Sequence, residues 1–180
     1  MKKLFLVMTI AAFAVCAKAQ FYAGGTVGFM SVDNGDKTTY CKILPELGYN
    51  VNDQVSVGAI FGYTRNWASS IANNEFGATA RHGYTFQPYV RYQFLKSGMF
   101  SFYGEGDLGY TKFKDNGEQY TVGVRPVITF NITDKISLVS KIGFLGYNCF
   151  SPKDDDKDDT KAWGFDVNGN NIEFGLFYNF

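Results

Sequence analysis

Residues 86–94 read FQPYVRYQF, in which aromatic and other apolar residues alternate with Gln, Tyr and Arg. Every second residue of a β-strand faces the same side of its sheet, so this pattern predicts a strand with one apolar and one mostly polar face. About seven further segments show the same period of two, and none of the eight carries a charge on its apolar face. The apolar faces are heavy in Phe and Tyr, whereas the polar faces are rich in Gly, Ser and Thr. The sequence therefore predicts an all-β protein.

Eight charged side chains lie on the polar faces of these segments. In a soluble β-sandwich the apolar faces would form the core and the polar faces would meet water. Strongly aromatic apolar rows instead favour a membrane barrel, in which the apolar face meets lipid and the polar face lines the lumen. Buried charges are tolerated only when they pair, so equal numbers of each sign predict a paired network inside the barrel. The four basic and four acidic residues are Lys42, Arg91, Arg125 and Lys141 against Glu46, Glu105, Asp107 and Glu173.

The composition excludes several classes of function. The chain has 180 residues with 17 basic and 17 acidic side chains, one His and three Cys. A neutral chain lacks the basic footprint of a nucleic-acid-binding protein, and so few His and Cys residues leave little material for a zinc cluster. No segment after the first 20 residues is apolar for long enough to form a transmembrane helix, which excludes a helical membrane protein. We therefore expect one domain that binds no metal or other cofactor.

The first 19 residues have the layout of a secretory signal peptide. Lys2 and Lys3 precede an uncharged run over residues 4–17, and an A-x-A cleavage site follows at residues 17–19. Removal of this segment leaves residues 20–180 as the predicted barrel domain, with 14 basic residues against the 17 acidic ones. The mature chain is therefore slightly acidic.

Tight turns alternate with longer polar connections along the mature chain. Short turns at one end and long loops at the other are typical of outer-membrane barrels, in which the turns face the periplasm. An even number of strands places both termini at the turn end. We therefore predict an eight-stranded, antiparallel, up-and-down transmembrane β-barrel. The predicted turns are Asn52-Asp53, residues 96–98 and Thr133-Asp134, and the predicted loops lie near residues 31–38, 65–84, 112–118 and 148–170.

Three prolines interrupt the alternating segments, at Pro45, Pro88 and Pro126. Proline cannot donate a hydrogen bond to a β-ladder, and a closed barrel has no free edge on which a proline would be harmless. We therefore expect a bulge or locally missing hydrogen bonds at each of them.

The mature chain also resembles a known family over its whole length. The resemblance rests on FYAGG at residues 21–25, on PELGY at 45–49 with Gly62-Tyr63 after it, and on FGLFYNF at 174–180. These stretches are similar to the small outer-membrane β-barrel domain family, porin-family-like proteins of the OmpA and OmpX size class. The resemblance implies the outer membrane of a Gram-negative bacterium, with outer-membrane lipid and lipopolysaccharide as neighbours. It also implies assembly by periplasmic chaperones and the barrel-assembly machinery, with Phe180 as the assembly signal.

Three features that suggest chemistry have simpler explanations. The stretch GEGDLG at 104–109 matches the dinucleotide-binding fingerprint, but alternation continues after it where a helix would have to begin. The acidic segment 153–161 lacks the central Gly and final Glu of a calcium loop, which favours a solvated loop that bridges divalent cations weakly. Cys41 and Cys149 fall on predicted strands that are not neighbours and face opposite ways, which disfavours a disulfide.

The only His and the two Trp residues are the remaining candidates for functional positions. His82 shares a predicted loop with Ser69-Ser70 and Glu75, groups of the kind that barrel enzymes acting on lipid A use, but no pattern fixes their geometry. Trp67 and Trp163 fall near the predicted loop ends, where interfacial anchors would lie. We predict no catalytic, cofactor-binding or metal-binding residue.

These observations favour a protein that is not an enzyme and that acts structurally or through surface interactions of its extracellular loops. Eight strands enclose an interior about wide enough for side chains, so we expect a filled lumen. The alternatives are a small pore for small solutes, a lipid-modifying barrel enzyme that uses His82, and a soluble secreted barrel of the lipocalin kind.

Overall fold

The described part of the chain is built from antiparallel β-strands. The structure is a computed structural model that describes residues 20–33, 37–65, 82–114, 117–153, 158–166 and 172–180. Within these ranges no helix is both long and apolar enough to cross a bilayer. The strand segments are β1 (Phe21–Asp33), β2 (Lys37–Asn50), β3 (Val55–Arg65), β4 (His82–Ser97), β5 (Phe100–Phe113), β6 (Gly117–Asn131), β7 (Ile136–Ile142), β8 (Phe144–Pro152), β9 (Thr160–Asp166) and β10 (Ile172–Asn179).

The ten segments form a closed barrel of eight strands. Segments β1 to β6 each pair with their neighbours in the chain. Both β7 and β8 pair with β6, so they are two halves of one barrel strand. The next strand is likewise made of β9, which pairs with β8, and β10, which pairs with β7. Pairing of β10 with β1 closes the ring, and the predicted eight-stranded antiparallel barrel is confirmed.

The barrel wall has its apolar side chains on the outside. On β4, the side chains of Val90 and Tyr92 are 52% and 51% exposed, whereas Arg91 between them is 3% exposed. The same alternation runs along the other strands, with exposed Val, Leu, Phe and Tyr facing outward and Ser, Thr and charged residues buried inward. Such a surface suits a surrounding bilayer, because every backbone polar group of a closed barrel is satisfied internally.

Each of the three prolines interrupts one of the two ladders of its strand, as predicted. Pairing of β2 with β3 is absent opposite Pro45, and pairing of β4 with β5 is absent opposite Pro88. Each ladder on the other side stays intact, through the pairs Gly25 with Pro45 and Ala59 with Pro88. At Pro126, the ladder with the next barrel strand breaks between β7 and β8. Each proline therefore disrupts pairing with one neighbour only.

The break beside Pro126 is a β-bulge centred on Gly143. Val127 pairs with Lys141 but Val124 pairs with Leu145, so three residues lie opposite two. Gly143 has a φ of 66°, the left-handed conformation typical of a glycine bulge. The extra residue reverses which face the following residues occupy. A strict period of two along residues 136–144 predicts that Phe144 faces outward with Ile136 and Leu138. Phe144 is instead 6% exposed and points inward, so that prediction is wrong.

The three predicted tight turns are present, but three of the predicted loops are shorter than expected. The turns occupy residues 51–54, 98–99 and 132–135. Strands β1 and β2 reach into the loop predicted at 31–38, strands β5 and β6 reach into that predicted at 112–118, and the loop predicted at 148–170 contains the end of β8 and all of β9. These strands extend with polar residues, which weakens the apolar alternation on which the prediction relied. Most of the loop predicted at 65–84 lies outside the described residues.

We predict that Gly143→Ala destabilises the barrel. An L-residue in the left-handed conformation costs about 1–2 kcal/mol, and the free energy of unfolding should fall by that amount. Urea unfolding in lipid vesicles measures it. Gly104→Ala is the matched control on β5, because a Cβ there would meet no atom within 4 Å. Equal stability of the two variants would contradict the bulge geometry.

Candidate functional site: a charge network in the barrel lumen

All eight charged residues predicted to line the lumen lie inside the barrel. Glu46, Glu105 and Lys141 are almost inaccessible, with Glu105 at 0% exposure. The side chains of Arg125 and Glu173, the most accessible of the set, are each 13% exposed. The alternation of β2, β4, β5, β6, β7 and β10 therefore directs these charges to one enclosed space.

Four of these residues form a ring of alternating charge. Arg91 donates through Nε to Glu105 Oε2 at 2.6 Å and through Nη2 to Glu46 Oε1 at 2.5 Å. Lys141 Nζ donates to Glu46 Oε2 at 3.0 Å and to Glu105 Oε1 at 3.3 Å. Each cation therefore contacts both carboxylates, and each carboxylate contacts both cations. The ring joins β2, β4, β5 and β7 across the lumen.

Arg125 links the other charges to this ring. Its Nε lies 2.9 Å from Asp107 Oδ2 and 3.7 Å from Glu105 Oε1. Its Nη1 lies 3.9 Å from Glu173 Oε1, and Lys42 Nζ donates to that same oxygen at 2.8 Å. All eight residues thus belong to one connected network. Charge-assisted contacts of this kind offset the cost of removing each ion from water.

Aromatic rings pack around the network. The Arg91 guanidinium lies 4.4 Å from the centre of the Tyr89 ring and 5.3 Å from that of Phe177, within the range of cation–π contacts. The hydroxyls of Tyr22 and Tyr89 are 2.7 Å apart. Gly48 makes room for Tyr22, because a Cβ at that position would lie 2.1 Å from the Tyr22 ring. Arg91 is therefore fixed by rings as well as by carboxylates.

The sequence reasoning missed two participants on β1. Tyr22 joins the aromatic packing, and Thr26 donates through its hydroxyl to Glu173 Oε2 at 3.2 Å. Both share the inward parity of Gly24, so position alone would have placed them in the lumen. They were not predicted because the predicted network included only charged side chains.

The remaining candidate residues lie away from the network. His82 begins β4, where its Nδ1 is hydrogen-bonded to the Tyr63 hydroxyl. Ser69-Ser70, Glu75 and Trp67 lie outside the described residues. Trp163 lies within β9, not at a loop end as predicted, and its side chain is 84% exposed on the outer wall. The backbone amide of Phe180 donates to the Phe21 carbonyl at 3.0 Å beside the barrel seam.

None of the alternative motifs forms a site among the described residues. The stretch 104–109 lies entirely within β5, and Cys41 and Cys149 are free thiols. Residues 154–157 of the acidic segment, and the signal peptide predicted at 1–19, lie outside the described ranges. In the part of the chain that is described, no group of three or more His, Cys, Asp or Glu side chains could hold a metal ion.

This fold and lumen define a small transmembrane β-barrel, and comparison with known proteins identifies its family. The model of the outer membrane protein beta-barrel domain matches residues 4–180, so the chain belongs to that family and is an outer-membrane protein. No curated protein matches the sequence.

Solved structures share the fold at low sequence identity. Neisserial surface protein A is 13% identical with a TM-score of 0.54, covering 91% of this chain and 98% of its own. The E. coli outer membrane protein W is 14% identical with a TM-score of 0.54, covering 89% and 97%. A major outer membrane protein from Thermus thermophilus is 13% identical with a TM-score of 0.51, covering 89% and 98%. These similarities support the fold.

We predict that neutralising Glu105 alone destabilises the barrel. Glu105→Gln removes the one carboxylate that Arg91, Lys141 and Arg125 all contact, and breaking a buried pair costs about 3–5 kcal/mol. Urea unfolding in lipid vesicles should show this loss in the free energy of unfolding. Arg125→Gln should act in the same direction.

The control is Glu118→Gln, which removes an exposed pair with Lys112 at 3.4 Å. An exposed pair contributes about 0–1 kcal/mol, so this variant should remain close to wild type. Wild-type stability of both Glu105→Gln and Arg125→Gln would show that the inward rows are in contact with water.

Proposed function

We propose that this protein is a closed outer-membrane barrel that acts structurally or through surface interactions of its extracellular loops. The observation that supports this proposal most strongly is the charge network, which connects six strand segments across the lumen. An eight-stranded barrel encloses little more than its own side chains, so a network of this extent fills its cross-section. The barrel then serves to hold the loops at the membrane surface.

The side chains of the network have little freedom to move aside for a passing solute. Arg91 contacts two carboxylates at 2.5 and 2.6 Å and lies against Tyr89 and Phe177. An ion that crossed this level would have to separate buried pairs, and a buried charge that loses its partner is strongly destabilised. For this reason we favour a sealed lumen over the small pore that was the alternative.

The arrangement of connections supports an orientation. The turns at 51–54, 98–99 and 132–135 lie at the end of the barrel that also carries Phe21 and Asn179. The strand ends that border the longer connections lie at the opposite end, at Arg65, His82, Pro152 and Thr160. Following the usual pattern of outer-membrane barrels, we propose that the turns face the periplasm and the other connections face outward.

We further propose how the protein is assembled and what surrounds it. The C-terminal aromatic Phe180 would serve as the signal for the barrel-assembly machinery after escort by periplasmic chaperones. Its side chain is 60% exposed on the outer wall next to the first strand, where a recognition factor could reach it. Outer-membrane lipid and lipopolysaccharide would contact the exposed apolar rows.

We predict that the purified protein shows no stable single-channel conductance in planar bilayers. The reason is that the paired charges and the rings fill one level of the lumen. The double variant Arg91→Ala/Glu105→Ala opens this level alone and should give at most brief, small openings, because bonded polar side chains and packed rings still fill the lumen toward either end. The double variant Lys112→Gln/Glu118→Gln on the outer wall is the control and should remain silent. Stable openings of the wild-type protein would contradict the closed barrel and support the small pore.

We propose that this chain is not an enzyme; the family and two of the similar structures are named only as outer membrane proteins. The His82 ring is hydrogen-bonded to the hydroxyl of Tyr63, a residue on the outer wall, and is not part of the lumen network. We predict that expression leaves the mass spectrum of lipid A unchanged, with wild type and His82→Ala giving the same result. A modification of lipid A that disappears in His82→Ala would establish the enzyme.

A further inference from the structure

The outer surface of β3, β4 and β5 changes chemistry row by row toward the loop end. Strand pairing aligns residues of the three strands into transverse rows. The lowest row is apolar and the second row is aromatic. The third row contains two tyrosines and a Lys, and the fourth row is basic. From the bottom upward, the rows are Ala59 and Pro88, level with Leu108 across the interrupted part of the β4–β5 ladder; Phe61, Phe86 and Tyr110; Tyr63, Tyr84 and Lys112; and Arg65, His82 and Lys114.

The order of these rows fixes their depth in the membrane. Successive rows are two residues apart, which is about 7 Å along a strand and about 5 Å along the normal of a tilted barrel. Aromatic girdles mark the boundary of the hydrocarbon. Ring contacts across strands form such a girdle here, between Phe61 and Phe86 and between Tyr110 and Tyr120. The basic row therefore lies about 10 Å above the girdle, at the level of lipid headgroups.

The cations in the two upper rows are accessible from the membrane side. Arg65 and Lys114 are exposed, and the Lys112 side chain is 68% exposed. Glu118, whose carboxylate also accepts from the Tyr120 hydroxyl at 3.0 Å, lies 3.4 Å from Lys112. Within the described residues, no carboxylate lies within salt-bridge distance of Arg65 or Lys114. Among the described residues, Arg65 and Lys114 thus have no acidic partner that would compete with an external anion.

The barrel holds these groups close together. His82 pairs across the strands with Arg65, and its carbonyl accepts from the Lys114 backbone amide at 2.7 Å. The Tyr63 hydroxyl fixes the His82 ring through Nδ1. Adjacent strands lie about 4.8 Å apart, so the row spans about 10 Å from β3 to β5. This width suits a headgroup with more than one anionic oxygen.

We propose that Arg65, His82, Lys112 and Lys114, here named the cationic rim, bind the phosphorylated sugar headgroup of lipopolysaccharide in the outer leaflet. The proposal rests on the orientation given under the proposed function. Arginine binds phosphate in a bidentate manner, and a nearby Lys adds a second charge-assisted contact. A zwitterionic phospholipid carries its own cation beside its single phosphate, so it gains less from this row.

The test measures binding of lipopolysaccharide to the full-length protein in detergent by native mass spectrometry. The variant Arg65→Gln/Lys114→Gln should bind about tenfold more weakly, because it loses the charge-assisted contacts to phosphate. The double variant Arg65→Lys/Lys114→Arg should retain most of the binding. The matched control is Lys96→Gln/Lys135→Gln, which removes two exposed cations at the turn end and should bind as wild type. Retained heat-modifiable migration on gels verifies that each variant is folded.

Two further probes separate the possible sources of the anion. Wild-type protein should lose most of its binding when the lipid A is enzymatically dephosphorylated, and phosphatidylglycerol should compete poorly. Equal binding of phosphorylated and dephosphorylated lipid A, or wild-type binding by Arg65→Gln/Lys114→Gln, would overturn the proposal. So would equal competition by phosphatidylglycerol.

Labelling of intact cells distinguishes failure of this proposal from failure of the proposed function. In a Cys41→Ser/Cys149→Ser background, which removes the two free thiols, a membrane-impermeant maleimide should react with Lys114→Cys and not with Lys96→Cys. The reverse pattern would overturn the orientation and the cationic rim together. Correct labelling without phosphate selectivity would overturn the cationic rim alone and leave the closed barrel intact.

Discussion

Glu105 is a fully buried carboxylate that contacts cations on three other strand segments, and the lumen is organised around it. Arg91 on β4, Lys141 on β7 and Arg125 on β6 all lie within 4 Å of its oxygens. A lone ion at this position would cost several kcal/mol, so the three partners must be in place when the barrel closes. Since each partner comes from a different strand segment, correct pairing of the charges requires correct register of the wall. The pairing of the lumen charges and the register of the strands therefore depend on each other.

The same register governs the outer wall. Because parity alternates along a strand, a slip by one residue would carry Arg91 to the lipid and Val90 to the lumen. Both displacements are unfavourable, the first through an unpaired ion in hydrocarbon and the second through loss of the ring of charges. Among the described residues, parity reverses at Gly143, where the positive φ allows a bulge, and the ladder of β4 with β5 also shifts register between Gln93 and Leu95. Phe144 then fills the lumen, with its ring 5.6 Å from the Arg125 guanidinium.

The sequence was sufficient to predict the strands and the inward charges because both follow from a period of two. The inward positions of Arg91 and Glu105 follow from their place in the alternation and from the equal numbers of basic and acidic residues on the polar faces. The partners of each charge were not predictable, because contacts such as that of Lys141 with Glu46 cross the lumen between strands 95 residues apart. The bulge was expected near Pro126, but its position at Gly143 on the neighbouring strand depends on register. Segment β9 was missed since its polar and glycine residues mask the alternation, although Trp163 and Phe165 do alternate outward.

The sealed lumen does not depend on a single ion pair, because the interior is layered. At the turn end, the Ser56 hydroxyl donates to Asn50 at 2.7 Å and that of Ser137 to Asn131 at 2.8 Å. Above the charges, Thr121 donates to Asn148 at 2.8 Å. Nearer the loop end, Phe113 and Phe150 are buried with their rings 6.1 Å apart. A solute that passed the charges would still meet bonded polar side chains on one side and packed rings on the other. Conduction would therefore require rearrangement at several levels, a stronger barrier than a gate made of one salt bridge.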